Sequence, residues 1–201
     1  MSLDNLDKKE CIFNAAHEVL GERGFHGLSI AEVAKSANVA TGTIYRYFVD
    51  KDDLLRQLHQ YTILQCVPMV LADVDLDTIS FQQFRQLWLN IHAIFINEPN
   101  ALKCKLQYES SPLGAELETN PVILAAWGPL DHFFAKGVSQ GLFIDLPLRA
   151  LQVLSLDNVV HLALQCRVHN ITLTDAQLET AIQASWNAIL SPIISTSGAC
   201  S

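Results

Sequence analysis

The chain has 201 residues, of which 50% are hydrophobic and 17% charged, and its formal net charge is −8. That composition excludes an intrinsically disordered chain, and no apolar run approaches the roughly 20 residues a membrane span requires. An acidic protein is also a poor prospect for indiscriminate binding to nucleic acid, so the distribution of charge matters more than its sum.

Residues 1–60 carry seven Lys/Arg against nine Asp/Glu, and residues 61–201 carry six against twelve. From Arg23 to Lys51 the balance reverses: Arg23, Lys35, Arg46 and Lys51 face only Glu32 and Asp50. The five cysteines, Cys11, Cys66, Cys104, Cys166 and Cys200, have neither zinc-ligand nor redox-motif spacing. The opening MSLDNLDKKE has no apolar signal region. Free thiols in a reducing cytoplasm are the expectation, with no membrane partner.

Ile12, Ala15, Ala16, Val19 and Leu20 recur at helical spacing and predict a first helix over about 5–23, with Gly24 as its stop. Ser29 and Glu32 form a capping box, and Ile30, Val33, Ala34 and Ala37 make the buried stripe of a second helix. Asn38 tolerates a left-handed turn, and Val39 can plug the core there. A third helix starts near Ala40 or Thr41 and ends near Phe48; Asp50 caps a fourth.

Beyond this the pattern stays helical: Pro68 as a start or kink, an amphipathic helix at 80–97, a short one at 101–109 ended by Ser110–Gly114, and one from Pro121 to about Val138. A nearly all-apolar helix follows to about Cys166, then a last one at about 175–191 capped by Thr174. The tail Ser195–Ser201 is small and polar and is expected to fray.

Two short helices joined by a three- or four-residue turn make a helix-turn-helix, whose second helix can lie in the DNA major groove. The small residues Ala40, Thr41, Gly42 and Thr43 let the start of helix three approach DNA closely. Thr43, Tyr45 and Tyr47 offer hydroxyls to phosphates, Arg46 reaches a base edge or a phosphate, and Lys51 clamps the backbone beyond. Ser29 completes the DNA-facing set.

The stretch GFHGLSIAEVAKSANVATGTIYRYFVDKDDLL resembles the DNA-binding signature of the TetR/AcrR family of transcriptional repressors. Gly24-Phe25, Ser29, Val33-Ala34, Gly42-Thr43-Ile44-Tyr45, Phe48, Lys51 and Leu54-Leu55 match its order and spacing. Two positions depart from it: Asn38 stands where the turn usually has Gly, and Ala40 where a Ser is usual, so Thr41 is the candidate replacement hydroxyl.

The resemblance implies an all-α protein with an N-terminal three-helix DNA-binding domain (1–52) and a helical effector-binding and dimerisation domain (53–201). It implies a homodimer on a palindromic double-stranded DNA operator, released by a small-molecule effector. The residues agree on their own terms. The 146–166 segment is apolar all round, which predicts burial; with the last helix it could form a symmetric four-helix interface using Leu151, Leu156, Val160, Leu178, Ile182 and Trp186. Trp88, His92, Phe95, Gln107, Tyr108, Trp127, Phe133, Asn158 and His161 are the candidate effector contacts, mostly apolar with a few polar groups.

No nucleophile motif, phosphate-cradling Gly-rich loop, paired carboxylates or His/Cys metal cluster points to an enzyme or a cofactor. A second reading is a thiol- or electrophile-responsive regulator, because Cys104 lies between Lys103 and Lys105 and nearby cations lower a thiol pKa. A third is a regulator with no small-molecule effector.

Overall fold

The structure is a computed structural model that describes residues 3–117 and 119–192. Helices follow one another along the chain: α1 Leu3–Gly27, α2 Ile30–Ser36, α3 Thr41–Ile44, α4 Lys51–Val70, α5 Phe81–Asn97, α6 Pro99–Glu109, α7 Pro112–Leu117, α8 Pro121–Ser139, α9 Leu148–Ser155, α10 Asp157–Val168 and α11 Asp175–Asn187. Among the described residues the only extended pairing is an isolated bridge between Phe143 and Leu190. The protein is all-α, as expected. The tail Ser195–Ser201, with Cys200, lies outside the described residues.

The chain divides into two compact units, Met1–Ala72 with Ala93–Trp127, and Asp73–His92 with Gly128–Ser201. The expected boundary after residue 52 falls inside α4, which runs unbroken from Lys51 to Val70. The first unit therefore holds more than a three-helix headpiece. Its core joins Ile12, Ala16 and Leu20 of α1, Val33 and Ala34 of α2, and Ile44 and Phe48 to Leu54, Leu55 and Leu58 of α4 and Tyr108 of α6. Each Val, Leu, Ile or Phe side chain among them, fully buried, contributes on the order of 1.5–3 kcal/mol against an unfolded chain.

Local chemistry explains the joints. Gly24, at φ 68, breaks the helical run of α1, a left-handed angle that glycine adopts at no steric cost. Ser29 caps α2 through its oxygen, which accepts from the Glu32 N–H at 3.2 Å. The other half of the expected capping box is replaced: the Glu32 carboxylate pairs with Arg23 at 2.7 Å. Asn38 takes φ 52 in the turn, as its short polar side chain allows, and Ala37 and Val39 pack on the core. Asp50 caps α4 by accepting from the Asp53 N–H at 2.7 Å, and Asp53 accepts in return from the Val49 N–H at 2.9 Å. Pro68 lies inside the last turn of α4 rather than at a start. α6 begins at Pro99, and the run read as a simple stop after α6 holds a further short helix, α7, with Pro112 at its head. Proline suits a first helical position because its missing N–H would be unpaired there anyway.

In the second unit Phe84, Phe133, Phe134, Phe143 and Trp186 form an aromatic core; Phe143 meets Trp186 edge-on at 5.3 Å. Gly137 is required by that packing, because a Cβ there would lie 2.1 Å from the Phe143 ring. Thr174 and Gln177 form a full capping box on α11.

The long apolar helix expected to Cys166 is broken in two. The Ser155 hydroxyl donates to the Leu151 carbonyl at 2.6 Å, a back-bond that bends helices, and Leu156 follows at φ −107. Arg149 then pairs with Asp157 at 2.8 Å, across the break. Two consequences correct the sequence reading. The segment is not buried all round: Val153 is 48% and Leu154 43% exposed. And the residues assigned to a dimer interface are core: Leu151, Leu156, Val160, Ile182 and Trp186 are buried within the unit, with Leu178 half-buried. Enclosed side chains cannot meet a second copy unless the unit opens.

Candidate nucleic-acid interface

α3 is only four residues long, but its turns continue. Arg46 N–H donates to Thr43 O at 3.2 Å, Tyr47 N–H to Ile44 O at 2.9 Å, and Phe48 N–H to Ile44 O at 3.0 Å. The helical winding thus reaches Phe48 as expected, tightened toward three residues per turn. Ile44 and Phe48 point inward, at 0% and 2% exposure. Ala40, Thr41, Gly42, Tyr45 and Arg46 are exposed, and Thr43 and Tyr47 are half-buried.

A Cβ added at Gly42 would meet nothing within 4 Å. The glycine is therefore not demanded by the protein's own packing, and the space above it is open. Tyr45 is 57% exposed, a large aromatic held on the same surface. Ala40 is the α3 N-cap and has no side-chain cap bond; Thr41 sits one residue inside the helix, so it does not replace the missing hydroxyl as a cap. The Ser29 oxygen is occupied by its cap bond, which leaves its O–H free to donate outward. Tyr47 also packs on the core, its ring 6.3 Å from that of Phe48.

Lys51 differs from expectation in its surroundings. It is half-buried, and its ammonium donates to the Phe25 carbonyl at 2.5 Å. The N–H of Phe25 donates to Oε1 of Gln107 at 3.3 Å. The Phe25 ring meets Tyr108 edge-on at 5.1 Å, and the Tyr108 hydroxyl donates to the Leu55 carbonyl at 2.9 Å. Gln107 and Tyr108, read from sequence as effector contacts, thus tie α6 to α1 and α4. Nothing in the sequence signalled this joint, since no residue near Gln107 named its partner.

The other candidate effector contacts divide between the units. Trp127 packs on the core of the first unit, where Phe95 is half-buried. Phe133 is fully buried in the aromatic core of the second. Trp88, Asn158 and His161 border one open groove of about 450 Å3, also lined by Leu154, Leu162, Ala184 and Ser185. Trp88 Nε1–H and Asn158 Nδ2–H donate to Ser185 Oγ at 3.2 and 2.9 Å, and Ser185 Oγ–H donates to the Ala181 carbonyl at 2.9 Å. Asn158 Oδ1 is buried without a partner among the described residues. His92 stacks on Trp88 at 5.4 Å, and burial lowers its imidazole pKa. The partners of Ser185 were not legible in the sequence, because a serine within a helix carries no signal of them.

Cys104 does not fit a sensor. It is 3% exposed, its thiol donates to the His17 carbonyl at 3.7 Å, and burial pushes its pKa up to about 12 against the opposing pull of Lys103. The thiolate, the reactive form, is suppressed. The flanking lysines that suggested activation lie on other faces of α6, where Lys105 pairs with Glu109 at 2.6 Å. Two half-buried imidazoles, each with one buried ring nitrogen, were not anticipated. His59 on α4 stands edge-on to Tyr108 at 4.4 Å, and its Nδ1 is buried with no partner among the described residues, as is His17 Nε2. Burial, aided by Lys105, lowers the His59 pKa to about 4; burial also lowers that of His17, against Glu98 and Glu18. No described group of three or more His, Cys, Asp or Glu could hold a metal, and no described helix is long and apolar enough to cross a membrane.

A braced helix-turn-helix with an open, hydroxyl-bearing second helix, joined in one chain to a further helical unit, defines a class of DNA-binding transcriptional regulator. Known proteins agree with that assignment. Residues 12–58 match the family model described as bacterial regulatory proteins, tetR family, and residues 80–190 match one described as tetracyclin repressor-like, C-terminal domain. An HTH-type transcriptional regulator of Haemophilus influenzae is 34% identical over 183 residues, 91% of this chain and 96% of its own. A solved TetR-family regulator from Vibrio parahaemolyticus is 33% identical with a TM-score of 0.80, covering 92% of this chain and 100% of that one. The fatty acid metabolism regulator protein of Bacillus subtilis is 27% identical over 131 residues, 65% of this chain and 68% of its own. The chain belongs to the TetR family of transcriptional regulators.

Proposed function

We propose that the protein is a homodimeric repressor that holds a palindromic operator and lets it go when a small, largely apolar effector binds. The observation that carries the DNA half of this reading is the open space over Gly42 beside exposed Thr41, Tyr45 and Arg46. Among the described residues nothing packs over Gly42, and a phosphate backbone could come into contact with that surface. Ser29, Ala40, Thr43, Tyr47 and Lys51 complete the proposed contact set. A single short, weakly basic module binds DNA poorly, and two on one palindrome multiply their effect.

The copies would meet through the outer faces of α10 and α11, not through the enclosed residues. Leu162, Ala184 and Ala188 border the groove there together with Leu154 of α9; Asn158, His161, Gln165 and Ser185 are its polar members beside Trp88, and there is no Asp, Glu, Lys or Arg among the groove-lining residues. Small residues such as Ala184 and Ala188 let helices approach closely there. The effector half rests on the aromatic and imidazole content of the second unit, Trp88 with His92 above all. A solved structure of the transcriptional regulator FadR from Bacillus subtilis is a complex with stearoyl-CoA, which makes that acyl-CoA the first probe.

The test is selection of randomised duplex DNA at a stated moderate salt. A two-fold palindrome, bound by the wild type and lost with Gly42→Ala while the melting temperature holds or rises, is the expected result. Recovery of no sequence would overturn the repressor reading. Release of the selected duplex by the acyl-CoA, with a change in tryptophan fluorescence that Trp88→Phe removes, would support the effector class, and unchanged binding at saturating probe would remove it.

A further inference from the structure

The Phe25 peptide is gripped from both sides. Its N–H is held by Gln107 of α6 at 3.3 Å, and its carbonyl by Lys51 at the first position of α4 at 2.5 Å. Gly24 makes the first grip possible. Its φ of 68 turns the chain, and a Cβ there would stand 3.3 Å from the Gln107 amide, closer than side chains normally approach. One residue further along α6, Tyr108 carries the Phe25 ring on its edge and donates to the Leu55 carbonyl, one turn into α4. The link from α3 to Lys51 is equally fixed: Phe48 N–H is bonded to Ile44 O at 3.0 Å, and Val49 N–H to Asp53 at 2.9 Å. A shift of the Phe25 peptide is therefore felt at Lys51, and through that short link at α3.

We propose that Gln107 is a positioning residue for DNA reading, acting through the Phe25 peptide on Lys51. The inference rests on the DNA-binding reading above and adds to it a residue that does not touch DNA. With Gln107 in place, the Phe25 carbonyl faces Lys51 and holds the ammonium, whose two further N–H groups would donate to a phosphate. Without it, the Phe25 peptide is free to rotate, its carbonyl leaves Lys51, and the ammonium is no longer aimed.

The experiment is a double-mutant cycle on operator affinity and its salt dependence, using the full chain and the duplex selected by the wild type: wild type, Gln107→Leu, Lys51→Met and the double variant. The expected result is a loss of about tenfold for Gln107→Leu, with a shallower salt slope and little further loss when Lys51→Met is added. Gln107→Glu, which keeps the acceptor oxygen, restores most of the affinity. A merely structural Gln107 would lower the melting temperature but leave the salt slope of the folded protein unchanged. Additive losses, or a salt slope unmoved by Gln107→Leu, would overturn the proposal while leaving the DNA-binding reading intact. Failure of the wild type to select any duplex would overturn both. If Gln107→Leu does not fold, Gln107→Asn, which withdraws the oxygen by one methylene, takes its place in the cycle: non-additive losses with a shallower slope support the proposal, and additive losses overturn it.

Discussion

The surface around α3 and the segment of α9 and α10 make an instructive pair. In the first, inward and outward residues alternate over a few positions: Ile44 and Phe48 are enclosed while Thr41, Gly42, Tyr45 and Arg46 stand open. In the second, apolar residues fall on both the inward and the outward side, and packing alone separates core from surface. Val159, Val160 and Ala163 are buried, while Leu154 and Val153, no less apolar, are exposed. A surface whose polarity pattern is sharp declares its use in the sequence. A surface drawn from a segment with apolar residues on every side does not, because the same leucine serves as core or as interface according to which way the helix is turned.

The largest expected effect separates the two roles in the second unit. Val160→Asp buries an unpaired carboxylate and should cost more than about 4 kcal/mol, enough to abolish folding of that unit. Leu154→Asp, at an exposed site, should instead give a folded protein that runs as a monomer in sedimentation. A folded, dimeric Val160→Asp protein would refute the burial assignment, and a dimeric Leu154→Asp protein would refute the proposed interface.

Next in size is a pH effect confined to the first unit. The folded His59 pKa lies near 4, below its ordinary value of 6.5. The folded state therefore binds the proton less well than the unfolded one. Its stabilising contribution is full above pH 6.5 and is lost as pH falls through 6.5 toward 4, up to about 3 kcal/mol. Urea midpoints measured across that window should fall for the wild type and fall less for His59→Leu. Equal slopes for the two proteins would show that the imidazole is not the group that titrates.

Smaller again, and at an exposed position of the same unit, Arg46→Ala should cost about 1–3 kcal/mol of operator binding with stability unchanged within about 0.5 kcal/mol. Arg46 stands open to solvent, so truncating it removes no core packing. Equal affinity of variant and wild type for the selected duplex would take Arg46 out of the contact set. The smallest effect is expected at Cys104: mild oxidant should leave both the thiol mass and DNA binding unchanged, because the thiol is buried and its pKa stands near 12. Rapid modification there would reopen the sensor reading.

The helix-turn-helix was legible because its grammar is local. A serine three residues before a glutamate, an asparagine at a left-handed turn and an inward pair four apart each act within one or two turns, and the structure uses all three. The departures are tertiary in origin. Glu32 left the capping box for Arg23, Lys51 found the Phe25 carbonyl, and Gln107 and Tyr108 served the joint between α6, α1 and α4 rather than a pocket. Sequence spacing cannot bring residue 107 to residue 25, which lies 82 positions away.

From residues alone came the all-α class, the helix starts set by Ser29, Asp50 and Thr174, and the open face of α3, since each follows from hydrogen bonds and side-chain periodicity inside one element. The break at Leu156, the enclosure of Val160 and Trp186, the silence of the Cys104 thiol and the double grip on Phe25 belong to the folded chain. Those properties depend on what packs against an element, and burial, pKa and hydrogen-bond partnership are set by neighbours that lie far away along the sequence.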